Sequence, residues 1–326
     1  MKLKNKKALE MSFAWIFAIA VGAIIIVLAI YFAANLVKSG YNEGNTRAAR
    51  ELVNVLDPLQ TSVEDGKAQR IELIDETRIY NYCEKIGDFG SNKIEVSERN
   101  RFGGEGWTRP GGDIKTESQY LFSENTIEGK SVYFFIKPFK SPFKAADLMV
   151  MYSENYCFVN PPEDIKTELE GLTNDQNSNI DIKNNLIDCQ NSSVSVCFTS
   201  GRECDVIVEG NCNSLNCESV YDSGTVIKDD GELTYTGGLL YSAIFSSKEI
   251  YECNINRIMK RVNYLSELYI KKSKFVSVRG CGTNLQVELT ILSELSKNLE
   301  DSSGLLSIKA ISDEINDKNI GVCRLF

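Results

Sequence analysis

Three hydrophobic patterns follow one another along the chain. From about Ser12 to Val37 (SFAWIFAIAVGAIIIVLAIYFAANLV) no residue carries a formal charge, and apolar side chains cover every face. At roughly 1.5 Å per residue a helix of this run reaches about 39 Å, more than the ~30 Å hydrocarbon core of a bilayer. From Tyr41 to about Val63 the pattern turns amphipathic. Leu52, Val55, Leu56, Leu59 and Val63 recur at three- and four-residue steps, which predicts a helical stalk. Asp57-Pro58 is expected to kink or restart it, because proline lacks a backbone donor and clashes with the preceding turn. Glu64-Asp65-Gly66-Lys67 then closes it.

After Gly66 the period falls to two. Arg70–Ile74, Arg78–Cys83, Lys93–Ser97 and Ser118–Ser123 read as separate strands. The aromatic run Lys130–Lys137 (KSVYFFIK) is the strongest of the set, with Glu128-Gly129 as its turn. Asp147–Tyr152 and Tyr156–Val159 follow. Asn160-Pro161-Pro162-Glu163 predicts a capped helix start, since prolines in a first turn lose donors that have no partner anyway. That helix runs to about Leu172. Strands resume at Val194–Phe198 and Asp205–Glu209, and Gly224–Lys228 with Glu232–Tyr235 forms a hairpin around Asp229-Asp230-Gly231.

In the last third the period returns to that of a helix. Leu239, Leu240, Ile244 and Phe245 mark a short one, and Ser246-x-x-Glu249 reads as a capping box for a long one. Its Tyr251, Ile255, Ile258, Val262, Leu265 and Tyr269 form a narrow seam. Thr283-x-x-Gln286 caps a second helix, paired antiparallel with the first, and a short final helix covers about Leu305–Ile315. The predicted class is α+β: an N-terminal transmembrane helix with a helical stalk, a mixed β-rich ectodomain and a C-terminal helical hairpin. The expected divisions are a basic tip (1–11), the span (12–37), the stalk (38–66), a β-rich part (67–160), a cysteine-rich α/β part (161–246) and the hairpin (247–326).

Charge orients the span. Lys2, Lys4, Lys6 and Lys7 precede it and mixed charge follows, which predicts a cytoplasmic N-terminus and an extracellular remainder on a single-pass cell-membrane protein. A cleaved signal peptide is the competing reading, but the run is about twice the usual apolar length and no small-x-small site follows it. Beyond the span, 32 basic stand against 44 acidic residues, a formal charge of −12. That balance argues against nucleic acid and anionic lipid as partners.

All ten cysteines lie beyond the span: Cys83, Cys157, Cys189, Cys197, Cys204, Cys212, Cys217, Cys253, Cys281 and Cys323. An even count on the predicted outer side favours disulfides. Cys253 and Cys281, at opposite ends of the expected hairpin, lie too far apart to bond, so Cys253 bonds elsewhere; Cys323 at the chain end is the partner chosen, and the remaining pairings stay open. Zinc is disfavoured, with no histidine in the chain, no C-x-x-C pair and no zinc-knuckle spacing. The missing histidine also excludes Ser-His-Asp and Cys-His catalysis. Carboxylate chemistry stays open, Glu105 beside Trp107 being the nearest candidate. The stretch Ser97–Lys115 reads as an exposed, flexible loop presenting Phe102 and Trp107. Asn191-Ser192-Ser193 is a glycosylation sequon. No catalytic residue, cofactor or metal site is expected. The partners expected are the bilayer, through the apolar helix, and self-association or other envelope proteins.

The junction Lys6-Lys7-Ala8-Leu9-Glu10-Met11-Ser12 resembles the class III signal of archaeal type IV pilin-like proteins. The resemblance implies processing on the cytoplasmic side after Ala8, with Lys6 and Lys7 as the basic pair and the apolar helix kept on the mature chain. Bacterial-type pilins carry a glutamate five residues into the mature chain, whereas Glu10 would be the second, so the subunit pairing that such a glutamate supports does not carry over. The segments KKALEMSFAWIFAI, IEGKSVYFFIKPFKSPFKAADL, YCFVNPPEDI and LLYSAIFSSKEIYECNINRIMKR resemble uncharacterised single-span archaeal membrane proteins. That resemblance implies a membrane location and no established activity. The reading is a structural or binding protein of the cell envelope; the alternatives are a pilin-like filament subunit and a membrane-tethered hydrolase using carboxylates.

Overall fold

The structure is a computed structural model; the residues it describes are 13–62, 68–99, 106–117, 119–173, 178–198, 203–211, 220–320 and 324–326. The chain opens with one continuous helix, α1 (Phe13–Ser62), of 50 residues. Its first half is exposed on nearly every side, from Trp15 to Leu36. It is long and apolar enough to cross a membrane, with a window of mean hydropathy 2.9, and a signal sequence would fit the same description. In its second half Ala49, Leu52 and Leu56 are buried. The expected kink at Asp57-Pro58 does not occur, since the backbone stays helical through both residues to Ser62. Proline removes a single donor near the helix end, and the turns before it are already held by packing.

Among the described residues, twelve strands form two six-stranded sheets. The first contains β1 (Gln69–Glu84), β2 (Ser91–Glu98), β3 (Ile114–Thr116), β4 (Tyr120–Phe122), β5 (Thr126–Lys140) and β6 (Lys144–Tyr152), in the order β3-β2-β1-β5-β6-β4. All its pairs are antiparallel except β4 with β6. The two strands expected at 70–74 and 78–83 are one, with a shift of register between Glu72 and Thr77. Glu128 and Gly129 pair within β5 instead of forming a turn. The aromatic run of β5 is buried on both faces, which is why it reads as continuous. Tyr133 and Phe135 face one core, and Val132, Phe134 and Ile136 face the other.

The second sheet contains β7 (Tyr156–Val159), β8 (Ile180–Lys183), β9 (Val194–Cys197), β10 (Val206–Gly210), β11 (Ser223–Lys228) and β12 (Gly231–Thr236), in the order β12-β11-β10-β9-β7-β8. It is mixed, with parallel pairs at β7–β8, β7–β9 and β9–β10 and the predicted β11–β12 hairpin antiparallel. Helix α2 (Glu163–Thr173) starts after both prolines. Asn160 does not cap it; it takes a left-handed φ of 49° and turns the chain out of β7.

Helix α3 (Leu239–Phe245) is buried at every residue, and α4 (Lys248–Val278), α5 (Gln286–Lys297) and α6 (Leu305–Lys318) complete the fold. Neither predicted cap forms. The Ser246 hydroxyl donates to the Ser242 carbonyl, and the Lys248 N–H at the start of α4 is met by Asp230 Oδ2 from the β11–β12 turn, at 2.6 Å. Thr283 bonds Ser273 on α4. Side-chain bonds at 256 to 299, 263 to 293 and 273 to 283 show α4 and α5 running in opposite directions.

Two cores share the first sheet. One joins the Phe135 face to the second sheet, α2, α3 and the last three helices. The other lies between the Phe134 face and Ala49, Leu52 and Leu56 of α1. The second half of α1 is therefore a layer of the folded body.

Three disulfides are placed: Cys83–Cys253, Cys157–Cys189 and Cys197–Cys204. Cys281 is also disulfide-bonded, and Cys212, Cys217 and Cys323 lie outside the described residues. The assignment of Cys253 to Cys323 is corrected. The first turns of α4 cross the end of the β1–β2 hairpin and bring Cys253 to 6.0 Å, Cα to Cα, from Cys83.

Candidate functional site

Three polar constellations stand out. The first is a cleft of about 850 Å³ where the loop after β4, the β11–β12 turn and the start of α4 converge. Lys228 at the end of β11 donates to Glu124 Oε1 at 2.8 Å and to the Ser246 carbonyl at 2.7 Å. Ser247 donates to Asn125 Oδ1, and Asn125 Nδ2 donates to Glu249 Oε2 at 3.0 Å. Glu154 lies on the rim. Burial pushes its carboxyl above the usual range, the nearby Glu124 and Asp205 charges add to this, and Lys228 opposes it. Two carboxyl groups, Glu124 ion-paired with Lys228 and Glu154 on the rim, thus border the cleft.

The second is a cleft of about 490 Å³ between β5, α2 and the β12–α3 junction. The Lys137 side chain is 10 % exposed, pairs with Glu168 at 3.2 Å and stands 5.4 Å from the centre of the Tyr241 ring. On the far wall Asp222 pairs with Lys309 at 2.7 Å. Gly238 lets α3 start against β5, because a Cβ there would sit 3.0 Å from the Pro138 carbonyl. The cleft offers one screened cation, an aromatic face and carboxylates.

The third lies inside the protein. Arg257 on α4 is fully buried. Its Nε donates to the Phe89 carbonyl, Nη1 to Asn92 and Asn254, and Nη2 to the Gln119 carbonyl, with the Tyr120 ring 4.9 Å away. None of these partners is a carboxylate. Burial therefore lowers the guanidinium to about 10. Asn81, Asn92 and Asn254 also converge on the Leu121 carbonyl. The network pins α4 to β1, β2 and β4.

Of the residues singled out from sequence, Lys6, Lys7 and Ala8 lie outside the described residues, as do Phe102 and Glu105. Trp107 is not presented to solvent by a flexible loop. It is half-buried, bridges Arg99 and lies under the Arg78 guanidinium, 4.4 Å from ring centre to Cζ. Asn191 sits exposed on a turn beside the Cys157–Cys189 bridge. Among the described residues no three His, Cys, Asp or Glu side chains form a group that could hold a metal ion. Lys137, Glu154, Lys228 and Arg257 were missed. For Arg257 a partial signal existed: Ile250 and Cys253 share its face of α4, which marks that face as enclosed but says nothing of the partners that meet the guanidinium.

Comparison with protein-family models, with curated proteins and with solved structures finds no match to this chain. What the geometry defines is an α+β protein, braced by disulfides, with one N-terminal helix long and apolar enough to span a membrane.

Proposed function

We propose that this chain is a membrane-anchored structural or binding protein of the cell envelope, with its N-terminus in the cytoplasm and the folded body outside. The observation that carries the reading is α1 itself. Its apolar half is bare, while the other half of the same helix is a layer of the body. Disulfides in every described cysteine support an oxidising compartment. The test is membrane fractionation followed by intact-mass analysis of native protein and thiol labelling of whole cells. A salt- and carbonate-resistant membrane protein without free thiols is expected, and abundant free thiols would overturn the outward topology. The same mass reports any glycan on Asn191.

A pilin-like subunit is the second reading, favoured by the unbroken helix that joins the apolar half of α1 to its packed half. Its mark is a mature terminus at Leu9, after removal of the segment ending in Ala8; a native terminus at Met1 or Lys2 would sink it. The hydrolase reading rests on Glu154 and Glu124. Turnover of a glycan or peptide that Glu154→Gln abolishes would support it, and a panel of such substrates with no turnover would remove it.

A further inference from the structure

One face of α4 changes environment halfway along. Cys253, Arg257, Tyr264, Leu268 and Phe275 follow steps of four and seven residues and share a stripe. The first two are locked against the β1–β2 hairpin by the disulfide and the buried guanidinium. The hairpin then ends: Lys260 Nζ reaches the Lys85 carbonyl at 3.1 Å, and the Phe89 ring meets the edge of Tyr264 at 5.3 Å. Beyond that point the stripe is open. Leu268 and Phe275 are each 57 % exposed, Val278 is 88 % exposed, and Ile86 at the hairpin tip is 82 % exposed.

The charges around this apolar stripe run against the rest of the molecule. Between Lys260 and Arg279 stand six basic residues and a single acid, Glu267, in a chain of net charge −9. Arg261, Lys271, Lys274 and Arg279 are exposed and in no ion pair among the described residues. Arg279 lies over the Phe275 ring at 4.3 Å, so its charge sits at the edge of the apolar patch. Apolar and aromatic side chains flanked by basic ones on one exposed helix face match an anionic interface. A second copy of this chain paired about a two-fold axis would set the same basic face against itself.

We infer that the second half of α4, with the β1–β2 tip, docks on an anionic lipid surface. The inference rests on the anchored reading above, which also supplies the proximity. Asn45 is already buried in the body, where it bonds Thr108 and the Arg109 carbonyl. Helix α1 is continuous from the uncharged run to that point, so about eight residues, roughly 12 Å, separate the body from the span. The body is held against the headgroup layer, and weak contacts act at high effective concentration. The total charge of the chain conceals this patch.

The test uses the full chain, one copy per lipid nanodisc, in neutral phosphatidylcholine and in phosphatidylcholine mixed with phosphatidylglycerol. Amine-reactive labelling is read by peptide mass spectrometry. Lys271 and Lys274 are expected to label at least about threefold less in the anionic discs, with the protection weakened by high salt. The exposed Lys130 and Lys144 serve as references and label equally in both. Leu268→Glu with Phe275→Glu removes the protection and leaves the unfolding temperature unchanged, since both side chains are solvent-facing. Equal labelling of Lys271 and Lys274 in the two lipids overturns the inference, as does protection found only when two copies share a disc. A chain that fails to enter discs of either lipid overturns the anchored reading instead.

Discussion

Arg257 is the residue whose replacement tells most about this fold. Its guanidinium feeds carbonyls and side-chain amides from three separate segments, so its loss leaves several buried acceptors unmet at once. Each unmet acceptor costs about 1–3 kcal/mol. Arg257→Met should therefore destabilise the protein by roughly 3 kcal/mol or more, measured by urea unfolding in detergent. Arg257→Lys should recover only part of this, because one ammonium cannot span the same fork. Gly90 belongs to the same node. Its φ is +63° and a Cβ would lie 2.2 Å from the Glu84 carbonyl, so Gly90→Ala should be at least as damaging as the lysine variant. Glu288 on α5 supplies the pH-dependent contact. Its bond with Lys318 of α6 holds the carboxyl below its ordinary value, against the opposing effect of burial. A depressed carboxyl contributes stability that is full above the ordinary carboxylate range and is lost as pH falls through the folded value. The wild type should lose more unfolding temperature than Glu288→Gln between neutral pH and a pH below the ordinary carboxylate range, and equal losses would count against the pair.

At the scale of elements, the three disulfides placed among the described residues divide into one long and two short connections. Cys83–Cys253 spans 170 residues of chain and Cys197–Cys204 only 7. In the chain-entropy account the long bridge is worth up to about 5 kcal/mol and the short one about 2. Double alanine replacement of Cys83 and Cys253 should accordingly lower the unfolding temperature clearly more than replacement of Cys197 and Cys204. The same contrast explains what was legible in the sequence. β5, the β11–β12 hairpin and α4 were readable because period and turn chemistry are local, and α3 because its apolar residues cluster. β8 was not, since Ile180–Lys183 is a short run in a polar stretch and is a strand through its parallel partner β7. The caps of α4 and α5 failed for the same reason: Asp230, distant in sequence, reached the Lys248 N–H, and Ser273 took Thr283. The Cys83–Cys253 pair, the clefts at Lys137 and Lys228 and the Arg257 network all join segments far apart in the chain. Spacing along a sequence carries no trace of such meetings.

For the whole molecule, the decisive fact is that α1 belongs to two environments at once. The apolar half is exposed among the described residues, and the other half covers a sheet face made of Ile79, Ile94, Val96, Phe134, Ile136, Met149 and Met151. These roles predict opposite outcomes for two truncations. A chain beginning at Tyr41 loses, among the described residues, mainly exposed apolar surface and keeps Ala49, Leu52 and Leu56 on the sheet, with the Asn45 bonds to Thr108 and Arg109 intact. It should be soluble without detergent, monomeric and cooperative in thermal unfolding. A chain beginning at Ala68 keeps every strand but uncovers that sheet face. A contiguous apolar patch larger than a few hundred Å² is rarely borne by a soluble monomer. The shorter chain should therefore aggregate, or bind a hydrophobic dye at temperatures where the longer one does not. If both behaved alike in gel filtration, the packed half of α1 would be dispensable, and the proposal that a helix built into the core holds the body close to a membrane would lose its basis.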